Sequence, residues 1–313
     1  MASIQANLLK FWLKHQHIFG RGEYDPQHLR MQLDHAAGRM GLHRDVHIVP
    51  VQAGTVSAEW LIPAGASEDR ALLYIHGGAW FMGSPASHRG LVSYIAYESD
   101  VRALSIDYRL APENPFPAGL DDCIAAYDWL IQRGISPHKI IVAGDSAGGN
   151  LTLALLVALR DADKPLPAGA VALSPATDLA FTGESLKTRA HLDPILSNLG
   201  SNNIIPDYIA LYDPHHPYIS PLYADLHGLP PILIHVGDYE TLLDDAVRFG
   251  QNARAAGVDA QVVIWPEMFH VFQIFVPHLP EARSSVTQIA AFIKSHLETN
   301  MDRENMKRVS IEP

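Results

Sequence analysis

Between residues 140 and 159 the chain passes from one kind of structure to another with almost no connection. Ile140-Ile141-Val142-Ala143 is a short, β-branched apolar run, and Leu151–Leu159 is an apolar run at helical spacing. Gly144-Asp145-Ser146-Ala147-Gly148-Gly149-Asn150 joins them. A buried strand that feeds a buried helix through so tight a turn requires a layered α/β architecture, because both elements are apolar all round. The glycines at 144 and 148 stand where a side chain would meet the neighbouring strand or helix.

The rest of the chain repeats that alternation. Short apolar runs at Ala71–His76, Val101–Tyr108, Lys139–Gly144, Gly169–Ser174, Pro231–Gly237 and Ala260–Pro266 read as strands. Leu91–Glu98, Gly119–Arg133, Ala147–Arg160, Leu242–Ala256 and Glu281–Glu298 carry apolar residues three and four apart and read as helices. The pattern predicts a mostly parallel sheet with helices on both faces. Val46–Pro50 and Ser57–Ile62 read as an antiparallel hairpin at its edge. Residues 1–45 and 176–216 fall outside the alternation and read as helical pieces over the carboxyl edge of the sheet. The charged tail Thr299–Pro313 reads as frayed.

Composition narrows the functional classes. With 23 Lys and Arg against 34 Asp and Glu, the formal charge is −11, which argues against nucleic acid and anionic membranes as partners. Nearly half the residues are hydrophobic, so the chain has a core to bury and is not disordered. The lone Cys123 excludes a disulfide framework and a cysteine-based zinc cluster. None of the 17 histidines shows a metal-site spacing on a firm helix. Lys10 and Lys14 interrupt the first apolar run, so no secretory signal is read there, and Leu151–Leu159 is too short to span a bilayer. The expectation is a cytoplasmic protein without stable membrane association.

The chemistry follows from three places. Ser146, at the strand-to-helix turn, is a candidate nucleophile, raised from the sheet with a helix N-terminus beneath it. His76-Gly77-Gly78-Ala79-Trp80 follows the strand at 71–75, and its small residues let backbone N–H groups approach a developing oxyanion. Gly77, Gly78, Ala79 and Ala147 are the candidate donors, with His76 a hydrogen-bonding support behind the loop. His270, just beyond the strand Ala260–Ile264, is the candidate base, since ligands gather at the carboxyl ends of strands in open α/β sheets. The acid should follow the strand Ile232–Val236, where Asp238 and Glu240 both qualify and spacing does not separate them. Asp244 and Asp245 fall inside the next helix and read as first-turn or solvated acids.

HGGAW, DYRLAPE at Asp107–Glu113, GDSAGGN and WPEMFHVF together resemble the bacterial hormone-sensitive-lipase-like carboxylesterases of the α/β-hydrolase fold, over roughly residues 45–298. The resemblance implies an eight-stranded sheet with a helical cap. Residues 1–45 and an insertion at 176–216 match the cap, and 46–298 the catalytic domain. It also implies hydrolysis of short- to medium-chain esters, of about four to eight acyl carbons, in a pocket of modest size. No cofactor is implied, the partner is a small-molecule ester, and the last strand and helix offer a homodimer edge.

The family's usual Asp-Pro-Leu-x-Asp motif aligns its first Asp with Glu240, with Thr241 in place of the proline, so the implied triad is Ser146, Glu240 and His270. Asp107, Arg109 and Glu113 are expected to form a charged network behind the oxyanion loop, and Pro112 or Pro117 to follow a cis bond. Phe11, Trp12, Leu13, Phe19, Phe181, Leu192, Ile195 and Leu196 are candidate pocket residues, although packing between helices is the plainer reading of each. Amide or lactone hydrolysis would use the same machinery. A non-catalytic receptor on this fold would lack the histidine, and a bare interaction scaffold would not need the glycines at 77, 78, 144 and 148.

Overall fold

A computed structural model describes residues 2–15, 25–37, 41–197 and 204–297. The eight expected strands form one sheet: β1 (Val46–Ala53), β2 (Val56–Pro63), β3 (Ala71–Ile75), β4 (Ala103–Asp107), β5 (Ile140–Asp145), β6 (Gly169–Leu173), β7 (Ile232–Gly237) and β8 (Ala260–Trp265). Their order is β1-β2-β4-β3-β5-β6-β7-β8. β2 pairs antiparallel with β1 and β4, and every other pairing is parallel. β3 and β5 lie side by side with Ile75 opposite Gly144, so the HGG loop and the Ser146 turn leave the sheet together.

The helices are α1 (Ile4–Lys14), α2 (Pro26–Ala37), α3 (Pro85–Ser99), α4 (Ala118–Gln132), α5 (Ala147–Asp161), α6 (Ser185–Thr188), α7 (Ile204–Ile209), α8 (Leu243–Ala255) and α9 (Pro280–Leu297). Strand alternation sends Leu72, Tyr74, Ile141 and Ala143 to one face, where α3 and α9 cover them. Leu73, Ile75, Ile106 and Val142 point the other way, into a cluster with α4 and α5. α8 extends that layer through Phe249 and Ala253, against Ile232 and Ile234. Every residue of α5 from Ala147 to Leu159 is buried, which accounts for its apolar sequence. The peptide bonds before Pro112 and Pro117 are both cis. The tail Thr299–Pro313 lies outside the described residues.

α1 departs from ordinary amphipathic order. It buries Ala6, Lys10 and Leu13 while Ile4, Leu8, Phe11 and Trp12 are exposed. The Lys10 ammonium crosses to the Glu267 carbonyl at 3.1 Å, and Ser3 caps the helix while bonding Glu281 of α9. α1 is thereby tied to the loop before His270. Among the described residues no helix is long and apolar enough to cross a membrane.

Candidate active site

Ser146 sits at φ 53°, ψ −118°, a positive-φ conformation that costs a non-glycine residue about 1–3 kcal/mol and persists only where its surroundings impose it. Here they do. Its N–H donates to Leu173 O at 2.8 Å, and its carbonyl accepts from Asn150 N at 3.0 Å. A Cβ on Gly148 would lie 2.0 Å from Ile75 O and 2.5 Å from His76 O, and one on Gly144 would lie 2.4 Å from Gly148 O. Helix α5 can press against β3 at this point only with glycine in both places. Asn150 completes the turn, its side-chain amide donating to Ala176 O at 2.7 Å and Ile219 O at 2.8 Å. It therefore ties α5 to the chain at Ala176 and again at Ile219, a part the sequence reading did not assign to it.

The Ser146 Oγ is 2.9 Å from His270 Nε2, and His270 Nδ1 is 3.0 Å from Glu240 Oε2. Glu240 is fully buried. Its other oxygen accepts from Ser174 Oγ at 2.8 Å and from the Gly237 N–H. Burial pushes the Glu240 carboxyl up, and the hydrogen bonds from His270 and Gly237 pull against that. Burial also opposes charge on His270, but the adjoining Glu240 carboxylate outweighs it and leaves the imidazole above its ordinary range. Asp238 points elsewhere and accepts from Glu267 N, bracing the loop that leads to His270.

Ser174 was not singled out in the sequence. Besides donating to Glu240 it accepts from Val271 N at 3.2 Å, so one hydroxyl joins Glu240 to the residue after His270. Asp244 and Asp245 stand in the first turn of α8, one of the two expected readings, and are not solvated. Asp245 is buried and accepts from Thr177 N and Asp178 N at 2.7 and 2.9 Å, while Asp244 accepts from Ser185 N. Burial pushes the Asp245 carboxyl up to about 8. The two acids tie Thr177, Asp178 and Ser185 to the start of α8.

On the opposite side of Ser146, Asp145 is buried beneath the HGG loop. Its Oδ1 accepts from Tyr74 OH at 2.8 Å and Gly77 N at 3.1 Å, and its Oδ2 faces His88 Nε2 at 3.3 Å. Burial disfavours charge on both partners, yet their mutual attraction holds Asp145 below the usual carboxylate range and His88 above the usual imidazole one. The Gly77 N–H is thus already engaged, which corrects its place among the expected oxyanion donors. Gly78 and Ala79 border the cavity beside Ser146. Gly78 has φ +118°, and a Cβ there would lie 2.2 Å from Met82 O. His76 is buried, bonded to Gly77 O and stacked on Tyr108, and burial pushes its imidazole down to about 3.

The expected Asp107–Arg109–Glu113 network does not form as one cluster. Arg109 forks onto Asp122 of α4, while Glu113 pairs with Arg30 of α2. Each finds a partner on a different helix, because the turn after Leu110 separates the two side chains.

Ser146 and His270 open onto a cavity of about 350 Å³. Trp12, Leu13, Phe181, Ile195 and Leu196 line it as anticipated, joined by Leu29 and Leu33 of α2 and by Ile274 and Phe275. Phe11 is 69% exposed and, like Leu192, does not line it. Phe19 lies outside the described residues.

The chain is similar to known proteins along most of its length. A family model described as the alpha/beta hydrolase fold matches residues 72–274. An acetyl-hydrolase of Streptomyces hygroscopicus is 41% identical over 297 residues, covering 94% of this chain and 98% of its own length. An esterase of Acinetobacter venetianus is 38% identical, over 86% of this chain and 89% of its own. A crystal structure of an esterase from the bacterial hormone-sensitive lipase family matches at TM-score 0.91 and 41% identity, over 95% of this chain and 100% of that one. Another esterase, soaked with p-nitrophenyl butyrate, matches at TM-score 0.90 and 39% identity, over 95% and 99% of the two chains. With a family model over residues 72–274 and esterases about 40% identical over nearly the whole chain, the chain belongs to the α/β-hydrolase fold family, among the esterases of its hormone-sensitive-lipase-like branch.

Proposed function

We propose that this chain is a serine carboxylesterase in which Ser146 attacks the ester carbonyl, His270 moves the proton and Glu240 orients the imidazole. The observation that carries the reading is the unbroken relay Ser146 Oγ to His270 Nε2 to His270 Nδ1 to Glu240 Oε2, at 2.9 and 3.0 Å, opening on an apolar cavity. His270 Nε2 takes the hydroxyl proton as Oγ bonds to the carbonyl carbon. Negative charge gathers on the former carbonyl oxygen, and the N–H groups of Gly78, Ala79 and Ala147 are its donors. The tetrahedral centre collapses, the C–O bond to the alcohol breaks, and His270 returns its proton to the leaving oxygen. Water then follows the same path, releasing the acid and restoring Ser146. Glu240 stays a carboxylate throughout and stabilises the imidazolium.

α1, α2 and the 176–216 insertion act as the cap. A cavity of about 350 Å³ stands near the lower end of the ~300–1,000 Å³ range of ligand clefts, which suits acyl chains of about four to eight carbons better than long ones.

The test is release of p-nitrophenol from the butyrate ester. Ser146→Ala, with an unchanged circular dichroism spectrum, is expected to lose on the order of 10⁶-fold in kcat. Turnover retained in that variant, or absent from the folded wild-type protein, would remove the esterase reading.

A further inference from the structure

The loop that carries Gly78 and Ala79 is held from outside the sheet. Arg30, on α2, commits its guanidinium to two loops at once. Its Nε donates to Phe81 O at 2.6 Å and its Nη2 to Ala111 O at 2.7 Å. Nη1 and Nη2 also fork onto Glu113, at 2.9 and 2.7 Å. Phe81 N and Met82 N both donate to Gly78 O, at 3.2 and 3.0 Å, so the carbonyl that Arg30 grips belongs to the turn that presents Gly78. Ala111 N donates to Trp80 O at 2.9 Å, and the second loop is thereby stitched to the first. Neighbouring positions Leu29 and Leu33 on the same helix line the cavity.

We propose that Arg30 is a positioning residue for the oxyanion loop, acting through Phe81 O and Ala111 O to hold the Gly78 and Ala79 donors where the tetrahedral oxygen forms. The proposal rests on the esterase reading above. A half-exposed ion pair contributes little to stability by itself. Arg30 differs because a planar fork meets a carboxylate while the remaining donors reach main-chain oxygens, a geometry that lysine does not reproduce. The loop it holds matters most in the transition state, where small misplacements are costly.

Four proteins decide it: wild type, Arg30→Met, Arg30→Lys and Glu113→Gln, each assayed with p-nitrophenyl butyrate and with phenylboronic acid, which forms a tetrahedral adduct on a serine oxygen. Arg30→Met is expected to lower kcat by about 10- to 100-fold with KM nearly unchanged, and to raise the boronate inhibition constant in parallel. Arg30→Lys should recover only part of the loss. Glu113→Gln, which leaves both main-chain contacts in place, should lose about 3-fold or less. If Arg30→Met does not fold, the same split in Arg30→Lys, at smaller size, carries the test. A rise in KM at unchanged kcat would overturn the proposal, since Arg30 would then only shape the cavity. So would a lower melting temperature with kcat and boronate affinity intact. A wild-type protein that neither turns over the ester nor binds boronate would instead overturn the esterase reading, and this inference with it.

Discussion

The two sides of the candidate triad are held by different physics. Ser146 is fixed by crowding of the backbone. Glycine at 144 and 148 lets α5 press against the end of β3, and the serine has no other place to go. His270 and Glu240 stand on two separate loops and are fixed by side-chain hydrogen bonds, with Ser174 bonding Glu240 and Val271 N. The first side is marked within seven residues of sequence, although the crowding that fixes it comes from Ile75 and His76 at the end of β3. The second is assembled from strands β6, β7 and β8, and its members are far apart in the chain. Substitutions should therefore act differently on the two sides: sterically and through the fold on one, electrically and through the proton on the other.

Among the residues that hold the serine and the histidine in place, the largest expected effect is electrical. Glu240→Gln keeps the shape but removes the charge that orients and supports the imidazolium, so kcat should fall by about 10⁴-fold. Asp238→Asn should cost less than about 10-fold, because Asp238 only braces the loop through Glu267 N. Kinetics of the two folded variants check this. A greater loss from Asp238→Asn would transfer the acid's role to it.

Next in size is the steric case. In Gly148→Ala the new Cβ has main-chain oxygens at 2.0 and 2.5 Å, which cannot rotate away. Overpacking typically costs about 1–3 kcal/mol, and relieving it here would displace Ser146 itself. We expect a loss of about 100-fold or more in kcat together with a melting temperature lower by several degrees. Calorimetry beside the ester assay separates this signature from that of Glu240→Gln, whose kcat should fall with little change in melting temperature.

The same contrast explains what could be read from the sequence. The strands announced themselves as apolar runs and the helices by their period, because burial imposes both patterns locally. The Ser146 turn was legible for the same reason. Glu240 was separable from Asp238 only through resemblance, since the two are neighbours on one turn and the path of the backbone decides which faces His270. Ser174 was invisible: a serine at a strand end is ordinary, and its partners lie 66 and 97 residues away. Arg30 escaped likewise, reaching 51 residues to Phe81, and so did the contacts of Asp245, which reach 68 residues to Thr177. Gly77 shows a finer limit, because its identity was informative but the direction of its N–H depends on Asp145.

Ser174→Ala sharpens the comparison at smaller scale. It removes one donor from Glu240 and one acceptor from Val271 N without touching the relay. A loss of about 10-fold in kcat, with KM little changed, is expected. An unchanged kcat would mean that the remaining contacts of Glu240 suffice and that the hydroxyl serves only the loop.

The smallest effect is a shift in proton affinity. In the proposed mechanism His270 is the general base and must be neutral, so kcat/KM should fall as pH drops through its titration. Burial disfavours the imidazolium, the Glu240 carboxylate favours it more strongly, and the balance lies above the ordinary imidazole value of about 6.5. The acid limb of the wild-type profile should accordingly sit above that value. Removing the carboxylate leaves burial unopposed, so Glu240→Gln should move the titration to lower pH. Nuclear magnetic resonance of the His270 ring in a Ser146→Ala background reads this directly, with and without the Glu240 change, and needs no turnover. If His270 titrated identically in both proteins, the charge of Glu240 would not be reaching Nδ1. The acid side would then hold the ring by geometry alone, as the nucleophile side holds its serine.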